Sequence, residues 1–333
     1  MKKGKLACAI TMGDPAGIGP EVTLKALTDR KVRGLADFLL IGNFFATEKT
    51  ARISKIRLKI NKIKSENDVS RASNKGIALL DIGNIPKLVF GQGKSAYGII
   101  ALDCIEAALR LIKSKKIDVL ITAPVNKHTI SQAGSVFRGH TEYLARAAKT
   151  KDFAMMLVGG PFKVVLVTRH IALKNVPRAL TKKKIYRAIR LTAWGLRKYF
   201  AIPHPRIGVC ALNPHSGDEG ISGNEEMRII RPAVIKAKNL AAIEGPLAAD
   251  TLFYFASQGK FDAVVAMYHD QGLIPLKTLA LHQGVNITLG LPFVRTSADH
   301  GTAYDIAGKN RANPGSMIEA IKLAVKIGQR IKQ

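Results

Sequence analysis

Short apolar runs alternate along the chain with stretches in which apolar residues recur at the spacing of a helix. The helical spacing is clearest at two sets of positions, which are Leu102, Ile105, Leu109 and Ile112, and Ile318, Ile321 and Val325. The apolar runs predict strands at residues 6–12, 38–41, 56–60, 78–82, 118–122, 163–168, 206–212 and 262–267. Because strand and helix signals alternate, the pattern favours an α/β fold with a mostly parallel sheet and helices on both faces.

The size and composition of the chain are those of an ordinary globular protein. Its 333 residues are too many for one small core and suit one large or two medium α/β domains. Hydrophobic residues make up 47% and charged residues 23%, which excludes a disordered basic tail protein. The cysteines Cys8, Cys104 and Cys210 are too far apart in the sequence for a zinc ribbon, and they predict no disulfide framework. No apolar stretch suits a bilayer span, so we expect a cytoplasmic protein without a membrane partner.

The net charge is the one unusual bulk property. The chain has 52 Lys and Arg residues against 24 Asp and Glu residues, a formal net charge of +28. Such an excess suggests a polyanionic partner. The basic residues are scattered, however, and only 6% of residues are aromatic, so stacking platforms for single strands are not evident. A nucleic-acid-binding protein is therefore a distant alternative that rests on charge alone.

A glycine-rich segment, MGDPAGIGPE at residues 12–21, joins the first predicted strand to a helix. It is not a dinucleotide-binding fingerprint, because Val22 stands where the third glycine would be. The Gly93–Lys94–Ser95 sequence also fails as a phosphate-binding loop, because Leu88 replaces its first glycine. Two interpretations of residues 12–21 stay open: a helix start whose free amides hold an anion, or a tight turn that needs glycines.

Three histidines share one sequence context. His170, His215 and His269 each follow an apolar strand and lie in the loop after it. In open α/β sheets, ligands bind at the carboxyl ends of strands, and three protein ligands suffice for a catalytic metal. A metal site assembled across the fold is one interpretation, and solvated or structural loop histidines are the other.

Two further groups of polar residues indicate anion binding. His140 and Thr141 in GHTEYLARAAK stand where a helix begins, so an imidazole, a hydroxyl and free amides converge. The alternative is that Thr141 caps the helix and His140 lies on the surface. Further along the chain, Asn286 lies in the apolar run VNITLGLPFV, which ends in Arg295. Arginine presents a planar fork that suits phosphate or carboxylate.

Seven strings of the sequence, in the same order along the chain, resemble the 4-hydroxythreonine-4-phosphate dehydrogenases, NAD-dependent enzymes of pyridoxal 5′-phosphate biosynthesis. The strings are ITMGDPAGIGPE, TAPVNKHTI, GHTEYLA, LNPHSGDEG, GPLAADTLF, MYHDQGLIPLK and RTSADHGTAYDIAGKNRANPGSM. The last string also resembles the cofactor segment of the isocitrate and isopropylmalate dehydrogenases, which bind NAD without a Rossmann fold.

The resemblance implies a role for residues at matching positions. The substrate-binding residues are His140, Thr141, Lys277, Asn286 and Arg295. The ligands of one divalent metal (Zn, Mg or Co), which the family shares between the two subunits of a homodimer, are His170, His215 and His269. The residues near NAD or NADP are His300, Gly301, Asp305 and Ala312. The catalytic proton acceptor is either Lys277 or Asp250.

The resemblance also implies a fold and a reaction. The fold is two α/β/α domains similar to those of isocitrate and isopropylmalate dehydrogenases, with the active site in the cleft between them. We place the NAD-side domain at 1–125 plus 285–333 and the metal and dimer side at 126–284. The reaction is oxidation of 4-phosphohydroxy-L-threonine to 2-amino-3-oxo-4-(phosphooxy)butanoate, which decarboxylates to 3-amino-2-oxopropyl phosphate. The nearer alternative is a related dehydrogenase of threonate or erythronate 4-phosphate.

Overall fold

The computed structural model describes residues 5–69 and 77–332 and shows an α/β fold, as predicted. The strands are β1 Ala7–Thr11, β2 Asp37–Gly42, β3 Ile60–Ile63, β4 Ile77–Asp81, β5 Val119–Thr122, β6 Ala154–Gly159, β7 Phe162–Leu166, β8 Arg206–Cys210, β9 Ala242–Leu247, β10 Ala263–Ala266, β11 Val285–Leu289 and β12 Val294–Ala298. The α-helices are α1 Gly19–Thr28, α2 Arg30–Gly34, α3 Phe44–Ile53, α4 Ser95–Lys113, α5 Lys127–Gln132, α6 His140–Ala147, α7 Val176–Ala179, α8 Lys182–Phe200, α9 Arg231–Ala237, α10 Ala249–Ser257, α11 His269–Ala280 and α12 Gly315–Lys332. No helix in the described part of the chain is long and apolar enough to cross a membrane.

The chain forms two compact units, one of residues 1–149 with 291–333 and the other of residues 150–290. In the first unit the strand order is β3-β4-β2-β1-β5-β12, and the paired strands are parallel. In the second unit the order is β11-β6-β7-β10-β8-β9. There β6 pairs antiparallel with β7 and β11, whereas β7, β10, β8 and β9 run parallel. The sheets are therefore mostly parallel, as the alternating pattern predicted.

The boundary between the units differs from the expected crossing near residue 125. Residues 126–149 belong to the first unit because their helices pack on α4. The Tyr143 hydroxyl on α6 donates to Glu106 on α4 at 2.7 Å. A Cβ at Gly98 of α4 would lie 2.4 Å from the Thr129 carbonyl oxygen, so the glycine allows α5 to approach closely. The chain returns to the first unit after residue 290.

Strand assignments differ from the prediction in two respects. The predicted strand at 56–60 begins only at Ile60, although residues 56–59 do alternate between partly buried and exposed side chains. Residues 56–59 form an irregular segment that is buried on one side only. This burial gives an alternation of side chains with the same period of two as a strand. Strands β6, β9, β11 and β12 were not among the predicted strands. Of these, β11 contains Asn286 and β12 contains Arg295.

Each unit buries its own apolar core. All five side chains of β1 are buried, as expected for a central parallel strand whose two faces are covered. In the second unit a cluster forms between β7, β10, α10 and α11, where the rings of Phe162 and Phe253 meet edge to face at 5.5 Å. These packed helices fix the loops that follow the strands, and His170 and His215 lie in such loops.

Candidate functional site

The three histidines of the shared context lie after three neighbouring parallel strands of the second unit. His170 follows β7, His269 begins α11 directly after β10, and His215 follows β8. Because β7, β10 and β8 are adjacent and parallel, their carboxyl ends share one edge of the sheet. The ring centroids of His170 and His269 are 5.5 Å apart. Within one chain, the described residues contain no group of three His, Cys, Asp or Glu side chains that could hold a metal ion.

The start of α11 is fixed by hydrogen bonds to the ends of the strands. The Gln271 side chain donates to the Ala211 carbonyl and accepts from the Met267 N–H, both at 2.7 Å. The Thr168 hydroxyl donates to the Met267 carbonyl at 2.7 Å, which ties the loop after β7 to the loop after β10. His269 Nδ1 lies 2.6 Å from a carboxylate oxygen of Asp270. These bonds define where the imidazole of His269 stands.

His215 lies in a turn of five successive residues in the left-handed conformation. The φ angles of residues 215–219 are 49°, 61°, 85°, 45° and 53°, and only Gly217 among them is a glycine. Each non-glycine residue in this region costs free energy, so neighbouring groups must stabilise the turn. The Ser216 hydroxyl donates to the Pro246 carbonyl at 3.0 Å.

The carboxylate of Glu226 supports the segment that leads into this turn. One of its oxygens accepts from the N–H groups of Leu212 and Asn213, both at 2.8 Å, and the other accepts from the Asn213 side-chain amide at 3.0 Å. Burial raises the pKa of Glu226, but these hydrogen bonds outweigh it and hold the pKa below its usual value. Sequence reasoning missed Glu226, whose role depends on contacts 13 and 14 residues away.

A pocket of about 640 Å³ in the second unit contains several of these residues. Its wall includes His215, Asp250, Asp270, Gln271 and Ile274. Asp250 stands in the first turn of α10, where its side chain is exposed. The pocket therefore brings one predicted metal ligand beside one candidate proton acceptor.

The remaining predicted residues of the second unit do not line that pocket. Lys277 is partly buried two turns along α11. Asn286 is partly buried on β11, and its Oδ1 atom is buried without a hydrogen-bond partner in the described part of the chain. A buried polar atom that protein groups leave unsatisfied is an expected feature of a ligand site.

In the first unit, the structure brings His140 and Arg295 together. Gly139 caps α6 with a φ of 146°, so Thr141 is a buried first-turn residue and not the cap. His140 is half-buried, and its Nε2 atom is shielded from solvent without a hydrogen-bond partner among the described residues. Arg295 on β12 is buried and donates through Nε and Nη2 to the hydroxyl of Thr122 on β5, at 3.2 and 2.7 Å.

The electrostatics of this pair suit an anionic ligand. Burial, and then the positive charges of Arg295 and Lys127, hold the pKa of His140 well below its usual value. Burial lowers the pKa of Arg295 to about 9, with Glu142 acting in the opposite direction. At neutral pH the site therefore holds an uncharged imidazole beside a guanidinium cation. Together they can donate hydrogen bonds to a phosphate or carboxylate.

The glycine-rich segment forms a tight turn, and some of its amides bond within the chain. The N–H of Ala16 donates to the Asp14 carboxylate at 2.8 Å, and the N–H of Ile18 donates to the Thr302 carbonyl at 3.0 Å. A Cβ at Gly13, which has a φ of 71°, would lie 2.1 Å from the Pro124 carbonyl oxygen. The chain itself therefore uses the amides of Ala16 and Ile18, and the segment approaches Pro124 closely, as expected for a tight turn.

The predicted cofactor residues lie in the segment between β12 and α12. His300 Nδ1 is 3.1 Å from the Gly301 carbonyl oxygen, and Gly301 is exposed with open space around it. Asp305 is exposed, whereas Ala312 is buried and donates its N–H to Glu21 at 2.9 Å. The segment is therefore exposed near its beginning, at Gly301, and is held by a hydrogen bond near its end, at Ala312.

Comparison with known proteins identifies the family. The family model described as pyridoxal phosphate biosynthetic protein PdxA matches residues 35–324. The chain belongs to the PdxA family. It is 45% identical to a 4-hydroxythreonine-4-phosphate dehydrogenase of Sulfurihydrogenibium sp. (strain YO3AOP1) over 318 residues, which cover 95% of this chain and 97% of the relative. It is 44% identical to a D-threonate 4-phosphate dehydrogenase of Cupriavidus necator over 325 residues, with 96% and 97% coverage.

A solved structure of the PdxA family has the same fold. The crystal structure of 4-hydroxythreonine-4-phosphate dehydrogenase from Klebsiella pneumoniae matches with a TM-score of 0.85 at 38% identity. The match covers 98% of this chain and 100% of that one. The chain is therefore an oxidoreductase of the 4-hydroxythreonine-4-phosphate dehydrogenase family, and a dehydrogenase of this family implies a nicotinamide cofactor.

Proposed function

We propose that this PdxA-family enzyme oxidises 4-phosphohydroxy-L-threonine to 2-amino-3-oxo-4-(phosphooxy)butanoate with NAD or NADP, as a step of pyridoxal 5′-phosphate biosynthesis. One observation carries the proposal. His140 and Arg295 form a shielded, positively charged pair, and the imidazole has a nitrogen atom with no hydrogen-bond partner among the described residues. Such a pair suits the phosphate or carboxylate of a small phosphorylated acid.

Five side chains bind the substrate in this proposal. Arg295, oriented by Thr122, neutralises one anionic group, while His140 and the buried Thr141 hydrogen-bond to the same end of the molecule. Lys277 contributes an amino group that hydrogen-bonds to the substrate. Asn286 contributes the buried amide oxygen that has no hydrogen-bond partner in the described part of the chain. These groups orient the secondary alcohol before it reacts.

A divalent ion, Zn, Mg or Co, fits the donors at the edge of the second unit. His170, His215 and His269 supply imidazoles, the commonest metal ligands, and the first and last already have ring centroids 5.5 Å apart. When bound, the ion would act as a Lewis acid toward the substrate oxygen. The contact of His269 with Asp270 at 2.6 Å fixes the orientation of that ring.

The chain's own residues move the proton. In the oxidation the hydroxyl proton passes to Lys277 or Asp250, and the carbon-bound hydrogen leaves as hydride. NAD, held by the segment with His300, Gly301, Asp305 and Ala312, would accept that hydride. The resulting β-keto acid then loses its carboxyl group as CO2 to give 3-amino-2-oxopropyl phosphate. The cation Arg295 stabilises the negative charge that develops during both steps.

The working enzyme in this proposal is a homodimer that completes the metal site. Each of the three histidine loops has a large exposed apolar side chain close by in the sequence. Leu173 follows His170 and is 67% exposed, Ile221 follows His215 and is 84% exposed, and Ile274 follows His269 and is 65% exposed. Exposed apolar side chains around one edge are typical of an interaction surface. A second copy of the chain would cover them and bring its own ligands.

The second candidate substrate is threonate or erythronate 4-phosphate. The observation in its favour is that a D-threonate 4-phosphate dehydrogenase is 44% identical to this chain, against 45% for a 4-hydroxythreonine-4-phosphate dehydrogenase. The substrates share the phosphate and the secondary alcohol, and threonate has a hydroxyl in place of the amino group. The shielded cationic pair accommodates either one.

A substrate comparison tests the proposal directly. The purified protein is incubated with NAD or NADP and with each phosphorylated acid, and NADH or NADPH formation is followed with and without prior metal stripping. We expect the highest kcat/KM with 4-phosphohydroxy-L-threonine, loss of turnover after chelation, and recovery when a divalent ion is restored. A higher kcat/KM with threonate 4-phosphate would overturn the substrate assignment, and undiminished turnover after stripping would overturn the metal assignment.

A further inference from the structure

An ion pair on α1 contacts the backbone of the predicted cofactor segment. Lys25 Nζ and Glu21 Oε1, one helical turn apart, are 2.7 Å from each other. Glu21 is 2% exposed and accepts from the N–H of Ala312 at 2.9 Å. Lys25 donates to the carbonyl oxygens of Ala312 at 2.9 Å and of Asn310 at 3.2 Å. One ion pair thus binds three backbone groups about 290 residues away along the chain.

The same glycine-rich motif also holds the middle of the cofactor segment. The hydroxyl of Tyr304 donates to the Asp14 carboxylate at 2.6 Å, and the N–H of Ile18 donates to the Thr302 carbonyl at 3.0 Å. A Cβ at Gly17 would lie 3.0 Å from Thr302, so the glycine allows this close approach. The GDPAGIGPE motif therefore holds the segment at two places, near 302–304 and near 310–312.

We propose that Glu21 and Lys25 are positioning residues for the nicotinamide cofactor, an inference that rests on the proposed function. The segment that they hold lies between β12 and α12 and contains no helix or strand. Its backbone is therefore not fixed by the regular hydrogen bonds of a secondary-structure element. Without the ion pair, the part of the segment near residues 310–312 would lose its attachment to α1 and would have to be ordered when the cofactor binds, and that ordering would reduce the affinity. The carboxylates of the motif, Asp14 and Glu21, thereby have a role in holding the segment.

The pair differs from an ordinary surface ion pair, which contributes little to stability. A useful comparison is Lys322 with Glu319 on α12, which are also 2.7 Å apart and are half-exposed. Their contact is with each other on the surface of a helix, whereas Lys25 and Glu21 also bond to the segment. Replacing a lysine by methionine in each pair therefore separates loss of an ion pair from loss of the contact with the segment.

The experiment measures NAD binding and steady-state kinetics for the intact protein and for Lys25→Met, Glu21→Gln, Lys25→Arg and the control Lys322→Met. For Lys25→Met and Glu21→Gln we expect the Kd and the KM of NAD to rise about tenfold, equivalent to ~1.4 kcal/mol. We expect kcat at saturating NAD and the KM of the phosphorylated substrate to stay within about twofold. Lys25→Arg keeps the donors and should recover most of the affinity, and Lys322→Met should match the wild type.

The result that overturns the inference is a Kd for NAD within about twofold of the wild type in both variants, with normal folding. A parallel loss of kcat, NAD affinity and substrate affinity would also overturn it, because that would be a general structural defect. Lys25 is partly exposed, so Lys25→Met keeps the test decisive even if Glu21→Gln does not fold. If the wild type binds NAD but oxidises neither phosphorylated acid, the proposed function fails while the Kd comparison still tests the positioning role.

Discussion

At the scale of single residues, burial and charge act in the same direction on His140. Shielding from water disfavours the imidazolium form, and the nearby cations Arg295 and Lys127 disfavour it further. Arg295, in contrast, stays protonated at neutral pH, because even its lowered pKa is about 9. A neutral ring beside a fixed cation can bind an anion without a change in its own protonation around neutral pH. The surroundings of the two side chains therefore keep His140 neutral and Arg295 charged.

The lowered pKa of His140 predicts a loss of stability in acid. In the unfolded chain the histidine takes up a proton as the pH falls below about 6.5, whereas the folded protein resists it down to the lowered pKa. Between these two values the free energy of unfolding falls by at most ~1.4 kcal/mol per pH unit for this residue. Urea denaturation at about pH 7 and about pH 5.5 should therefore show a smaller acid-induced loss for His140→Gln than for the wild type.

The matched control for this measurement is His128→Gln. His128 is exposed at the start of α5, in the same unit. We expect His128→Gln to keep the wild-type difference between the two pH values. An unchanged acid-induced loss in His140→Gln would show that His140 titrates alike in the folded and unfolded chain, contrary to its surroundings.

Some residues of the site could be predicted from the sequence, and others could not, for a physical reason. His140 and Arg295 occur in short strings whose residue types already suggest anion binding, and the structure brings the two together. Glu226, Asp14 and Glu21 show no such local signal. Asp14 bonds to a residue 290 positions away, and Glu21 bonds to one 291 positions away. A carboxylate that holds a distant loop is visible only when the fold is known.

At the scale of elements, the turn at 215–219 is the most demanding piece of backbone near the predicted metal ligands. Its left-handed residues stand directly after the supported segment at Leu212 and Asn213. Gly217 lies at the centre of the turn, where a Cβ would approach Glu226 Oε2 to 2.7 Å. Since Glu226 is held by three hydrogen bonds, it cannot move aside without breaking some of them.

Gly217→Ala should therefore destabilise the protein more than the same change at a left-handed glycine in open space. Gly259, with a φ of 80° and no atom near its potential Cβ, is the matched control. We expect Gly259→Ala to lower the free energy of unfolding by about 1 kcal/mol, the cost of the backbone conformation alone. Gly217→Ala adds the clash and should cost about 2–4 kcal/mol. Equal losses in urea denaturation would show that Glu226 yields without cost.

The sequence predicted helices correctly where the helical periodicity of the apolar residues was dominant. The apolar positions from Leu102 to Ile112 lie on α4, and the final repeat lies on α12. It was wrong at 56–59, where one-sided burial imitated the period of a strand. Strands β6 and β11 form the antiparallel part of the second unit, and their pairing in register, such as Asn286 with Leu157, is a contact between distant parts of the chain. A local sequence pattern does not indicate which distant strand a segment will pair with.

At the scale of the whole molecule, the +28 charge has little to do with the site. Arg295 is buried, and its charge acts over a short distance on His140. Most of the surplus is on exposed side chains such as Lys182, Lys183 and Lys184 at the start of α8. A positive field speeds the capture of anions such as NAD and phosphorylated acids, but nothing in the structure requires so large an excess. Family membership makes the chain an oxidoreductase, whereas the nucleic-acid alternative rested on charge alone.

If the proposed homodimer completes the metal site, a variant that cannot form the dimer should also lose metal binding. Glu in place of Leu173 and Ile274 puts charges on two of the apolar positions that a second copy would cover, and burying an unpaired charge is costly. We expect Leu173→Glu/Ile274→Glu to sediment as a monomer and to bind at most a small fraction of one divalent ion per chain. Ile235→Glu, at a 59% exposed position on α9, should remain a dimer with full metal content. A double variant that stays dimeric would show that these side chains lie outside the interface. A monomer with full metal content would show that one chain supplies all the ligands, so the assignment of a shared site would fall even though the enzyme class stands.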